Sequence, residues 1–138
     1  MDNIQRKVLA ELENIDRIFD SLPLHTQLPN LSTLELAGVA ALLHNFYNGI
    51  ENILKQILIS KDLVIPSGIS WHKQLIDLCI NENVLSENMG NVLGQYLAFR
   101  HFFTHAYALD LYSEKMEPLV ENAMDTYSLF KNELTKYL

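Results

Sequence analysis

From Ser32 to Ser60 the chain reads STLELAGVAALLHNFYNGIENILKQILIS. Ser32-Thr33-Leu34-Glu35 has the layout of a capping box, in which the serine oxygen and the glutamate side chain satisfy end amides reciprocally. Behind it Leu36, Val39, Leu43, Phe46, Ile50, Ile53 and Ile57 recur in steps of three and four, which predicts one long amphipathic helix ending near Ser60. The same spacing governs the flanks. Ile4, Val8, Leu12, Ile15 and Phe19 predict a helix from about Asn3 to Asp20, stopped by Ser21-Leu22-Pro23, with Pro29-Asn30 closing a connecting loop. Lys61 to Ile69, containing Pro66-Ser67-Gly68, reads as a loop, and Ser70 as the N-cap of a short helix carrying Trp71, Leu75, Leu78 and Cys79. Asn81-Glu82-Asn83 interrupts, and Ser86 caps a long fourth helix in which Met89, Val92, Tyr96, Phe99, Phe103 and Ala106 form a bundle seam. A fifth helix starts near Ser113, irregularly because of Pro118. Its acids Glu114, Glu117 and Glu121 suit the positive end and Lys131 and Lys136 the other. No segment alternates with period two. The expected fold is all-α, a bundle of about five helices in one domain over residues 1–138.

Composition narrows the function classes. Of the 138 residues 49% are hydrophobic and 20% charged, a balance that supports a packed core and not a disordered chain. Seventeen acids against ten bases give a net charge of −7, which argues against coating nucleic acid or an anionic membrane by bulk electrostatics. A small basic pocket inside an acidic shell remains compatible with it. The single cysteine, Cys79, cannot form an internal disulfide and excludes zinc motifs built on two cysteines; its place on an apolar stripe reads as core. The longest apolar stretch, Leu36 to Leu43, is far short of the ~20 residues a membrane span needs. The N-terminal residues lack a signal-peptide layout, so a cytoplasmic protein with no membrane partner is expected.

Chemistry-bearing residues gather in two places. There is no glycine-rich phosphate loop, no G-x-S-x-G elbow and no H-E-x-x-H, and Trp71 at a helix start reads as a packing anchor. On helix two His44, Asn48, Glu51 and Lys55 fall at i, i+4, i+7 and i+11, a polar line opposite the core stripe. It reads as a solvated face; the alternative is that it borders a cleft, with Glu51 orienting a neighbouring cation. On helix four Tyr96 to Tyr107 holds one of three arginines, Arg100, and two of five histidines, His101 and His105, among aromatic and aliphatic residues. His101 and His105 are about 40° apart on a helix and could share a metal. No helical His-plus-acid pair elsewhere completes the ligand set, so no metal and no cofactor are expected. Arg100 and His105 are about 140° apart, and converge only if the helix is distorted or a second copy of the chain contributes.

Arg100-x-x-x-x-His105-x-Tyr107 resembles the R-x-x-x-x-H-x-Y signature of the HepT-like toxins of the HEPN superfamily. The likeness continues through the residues flanking that motif and through His44 to Leu54, and the helical layout agrees from about residue 3 to 138. It departs at Thr104, which stands where a further base would help to grip RNA. The resemblance implies a HEPN bundle that dimerises and brings the motifs of two protomers to one cleft, and a metal-independent endoribonuclease with Arg100 and His105 as its catalytic pair. It further implies a toxin whose partner is a minimal (MNT-family) nucleotidyltransferase antitoxin, silenced by transfer of AMP onto Tyr107. On a helix continuous through position 107, Tyr107 lies about 20° from Arg100, along one edge of the cleft. Glu51, Asn48, His101 and Thr104 are secondary candidates. The alternative is a non-catalytic interaction module that binds such a nucleotidyltransferase, in which Arg100 pairs with Glu51 as a structural network.

Overall fold

Five α-helices carry the chain: α1 (Asn3–Ser21), α2 (Thr33–Ser60), α3 (Trp71–Asn81), α4 (Glu87–His105) and α5 (Ser113–Glu133). Short 3-10 turns occupy His25–Asn30, Ala108–Asp110 and Thr135–Tyr137 in the computed structural model, which describes residues 2–138. The fold is an all-α bundle, with no strand among the described residues. Its helix ends follow from local chemistry. Ser32 Oγ accepts from Glu35 N at 3.1 Å while Glu35 Oε1 accepts from Ser32 N at 3.0 Å, the reciprocal box expected for α2. Asp2 and Gln5 make the same box on α1. Ser86 Oγ accepts from Met89 N at 3.0 Å to open α4, and the same serine donates through its N–H and its hydroxyl to Glu133, tying the start of α4 to the end of α5. Asn83 takes a left-handed φ of 60°, a conformation asparagine tolerates, and so breaks the chain between α3 and α4.

The centre of the bundle is α2, packed against the other four α-helices and the Ala108–Asp110 turn. Phe46, fully buried, is ringed by Phe19 of α1, Tyr96 of α4 and Tyr127 of α5 at centroid distances of 5.7, 5.3 and 6.3 Å in edge-on geometry. Gly49 lets α1 approach: a β-carbon there would stand 2.8 Å from Ile15 Cγ1. Tyr127 Oη donates to Asp16 Oδ1 at 2.7 Å and fastens α5 to α1. Cys79 is buried core, as its position on the stripe implied, and burial pushes its thiol up to about 12. No helix among the described residues is long and apolar enough to cross a membrane.

Three local expectations need correction. The connection before α2 is not plain loop: His25–Asn30 forms a 3-10 turn because Leu28 is drawn into the core and is fully buried. Ser70 occupies the N-cap position of α3 with φ −102° and ψ 24°, and its side chain caps nothing. At the end of α4 the helix does not run on to Tyr107. Ala106 is extended (φ −91°, ψ 151°), and the chain turns back so that Leu111 can be buried.

Candidate active site

Arg100 projects from α4 toward α2, half-buried, and its Nε donates to Asn48 Oδ1 at 3.0 Å. That bond uses the one guanidinium nitrogen that points back along the side chain. The two terminal nitrogens, the fork that grips a phosphate, carry no ion pair to protein. Glu51, only 3% exposed, is not the counter-ion of Arg100: its Oε2 accepts from His72 Nδ1 of α3 at 2.7 Å. The Arg100–Glu51 pair that a purely structural role for the motif calls for is absent. Lys55, at the far end of the same line, places Nζ 4.2 Å from the centroid of the Trp71 ring, which itself lies against the His72 ring at 3.6 Å, tilted by 30°.

The polar line on α2 is therefore not a solvated face. His44, Asn48 and Lys55 are half-buried and Glu51 is buried, and each lies against a residue of α3 or α4. The line packs against α3 and α4, with Glu51 holding a histidine where an arginine was the natural guess. Sequence reading missed His72, whose partner lies 21 residues away, and Tyr47, which joins the line at the i+3 position after His44. Tyr47 had a local signal, its place on the His44–Asn48–Glu51 face, whereas His72 on α3 had none. Burial and the neighbouring Glu51 push the Tyr47 phenol far above its usual range. Burial and then the Arg100 guanidinium hold His44 below its ordinary 6.5, with Glu51 pulling the other way.

His105 lies elsewhere. It is exposed in the last turn of α4, its ring 4.8 Å from that of His101, and the two line a recess of about 670 Å³ with Ala98, Phe102, Ala106, Asp110 and Tyr112. Because α4 is regular through both residues, Arg100 and His105 keep their angular separation and do not meet within one chain. Thr104 is exposed and donates to His101 O at 2.9 Å, an ordinary back-bond within the helix. Tyr107 is 80% exposed in the extended segment after α4, so it does not share a helical edge with Arg100. Tyr112 is 56% exposed and Tyr96 buried, its hydroxyl donating to Leu119 O at 2.7 Å.

The described residues hold no group of three or more His, Cys, Asp or Glu placed to bind a metal ion. The groove of about 680 Å³ between α1 and α2 is not basic: it sets Arg17 among Glu11, Asp20 and four asparagines, Asn48 included. The Glu51–His72 contact carries a stability prediction. His72→Ala leaves a carboxylate buried without its partner and is expected to cost about 3 kcal/mol in urea unfolding, whereas Glu51→Gln, whose amide oxygen still accepts, costs less.

The sequence profile described as HepT-like protein matches residues 38–138, a span that takes in the polar line of α2, all of α3 to α5 and the Arg100–Tyr107 segment. No curated protein and no solved structure matches the chain. The profile covers most of the sequence, and with the all-α bundle it settles the classification: the chain belongs to the HepT-like family of the HEPN superfamily.

Proposed function

We propose that residues 1–138 form a single HEPN domain that acts in the cytoplasm as a metal-independent endoribonuclease toxin. In this reading two copies associate so that Arg100 of one works beside His105 of the other, and an MNT-family nucleotidyltransferase antitoxin silences the toxin at Tyr107. The observation that carries it is the state of Arg100: half-buried, oriented through Nε by Asn48, and not neutralised by the one buried carboxylate nearby. A guanidinium fixed in this way is prepared to hold a phosphodiester and to stabilise the charge that grows on it. Histidine can exchange a proton with the RNA 2′-hydroxyl or the leaving 5′-oxygen near neutral pH. A two-fold axis supplies the second group without further sequence, and answers the separation of Arg100 from His105 on their own helix. With an acidic surface, RNA affinity depends on a few local contacts and weakens as salt rises.

The test is cleavage of RNA by the purified protein, with and without chelator. His105→Ala is expected to be inactive, while His101→Ala and added chelator leave the rate within a few-fold of wild type. Loss of activity with chelator and with His101→Ala, but not with His105→Ala, would replace this reading with metal-dependent hydrolysis at the His101–His105 pair.

A further inference from the structure

Two buried side-chain polar atoms among the described residues make no hydrogen bond of good geometry, His44 Nδ1 and Tyr47 Oη, the second with the Glu51 carboxylate as its near neighbour. They lie three residues apart on the face of α2 that Arg100 approaches. Buried polar groups are almost always satisfied, and an exception calls for an explanation, a catalytic role among them. His44 stands one helical turn before Asn48, which holds Arg100 Nε. Its ring packs on Phe103 at a centroid distance of 5.4 Å, and Phe103 is three residues beyond Arg100 on α4. Within one chain, then, the histidine beside Arg100 is His44 and not His105.

Building on the ribonuclease reading, we propose that His44 is a further catalytic residue, the general base that takes the proton from the attacking 2′-hydroxyl at the phosphate held by Arg100. The step balances as a transesterification. O2′ bonds to phosphorus as its proton passes to the His44 imidazole. The P–O5′ bond breaks, and protonated His105 of the second copy gives its proton to O5′. The products are a 2′,3′-cyclic phosphate and a 5′-hydroxyl. One histidine gains the proton that the other loses.

The surroundings of His44 favour the neutral, accepting form. Arg100 faces it from α4, and Glu51 lies on its own helix with its carboxylate engaged by His72 of α3. The Ala108–Asp110 turn packed on α2 carries one titratable group, Asp110, which lines the His101–His105 recess. Burial and Arg100 outweigh Glu51 and lower the imidazole's pKa from its ordinary 6.5, which favours the neutral form that a base needs. Its Nδ1 is sealed from solvent and has no protein partner, so Nε2 is the nitrogen left to meet the 2′-hydroxyl, with Nδ1 carrying the proton in the neutral ring.

Full-length wild type, His44→Ala and His44→Gln are compared on a single-stranded RNA oligonucleotide from about pH 5 to 9, with and without imidazole. His44→Ala is expected to lower kcat by about 100-fold or more with little change in KM, and to lose the acid limb of kcat/KM. Imidazole should recover about tenfold or more in His44→Ala but not in His44→Gln, whose side chain fills the space. A structural role would not produce that rescue. If His44→Ala keeps the wild-type kcat and acid limb, or is inactive with a lowered unfolding midpoint and no rescue, His44 is not the base. Those results leave the ribonuclease reading intact so long as wild type cleaves and Arg100→Ala does not. If wild type itself fails to cleave RNA, that reading falls and the role of His44 falls with it.

Discussion

Arg100→Ala is expected to abolish RNA cleavage, a loss of at least about 10²–10³ in kcat, and to abolish growth inhibition when the gene is expressed. The size follows from what is removed: a cation whose terminal nitrogens are free of protein partners and whose direction Asn48 already sets. Arg100→Lys should recover little, because an ammonium lacks the planar fork and cannot be gripped at Nε. The fold should survive either change. The α4 seam rests on Met89, Leu93, Tyr96 and Phe99, all buried and all retained. Circular dichroism alongside the cleavage assay checks this. A folded Arg100→Ala protein that keeps a tenth or more of the wild-type rate would remove Arg100 from the mechanism.

Tyr107→Phe is expected to cleave RNA as wild type does and to escape silencing by the nucleotidyltransferase. The transfer forms a bond between the phenolic oxygen and the α-phosphorus of ATP, with pyrophosphate leaving and the phenol proton lost. Access is what the transfer needs, and Tyr107 is 80% exposed. It stands two residues after His105, so an attached nucleotide adds negative charge close to that histidine and repels the RNA phosphate. Tyr96 is buried and hydrogen-bonded, which leaves Tyr112, beside His105 in its recess, as the competing acceptor. Intact mass and peptide mapping after incubation with the antitoxin and ATP distinguish them. Modification and silencing that persist in Tyr107→Phe would move the site to Tyr112.

What the sequence made legible was local. The capping box at Ser32 and Glu35 fixes the start of α2, and the apolar steps behind it carry the helix to about Ser60, where it ends, because both signals act within a turn or two of the backbone. Arg100 and His105 could be placed on one helix, and their separation around it, for the same reason. What escaped was the work of distant contacts. Glu51 looks like any solvated glutamate until His72 arrives from α3, and nothing within a helical turn of either announces the other. The end of α4 carries neither glycine nor proline, so the exit at Ala106 is decided by the demand of Leu111 for the core. The notion that Tyr107 shares an edge with Arg100 failed at that point. Its exposure, not its helical phase, is what keeps it in the account.

The most direct test of the composite site is subunit complementation. Arg100→Ala and His105→Ala proteins, each inactive alone, are unfolded together, refolded and assayed on RNA. If Arg100 of one copy works with His105 of the other, half of the randomly paired dimers contain one of their two sites intact. Activity should then return to about a quarter of the wild-type value. A mixture that exchanges subunits, as native mass spectrometry would show, and yet remains inactive contradicts a site shared between two chains.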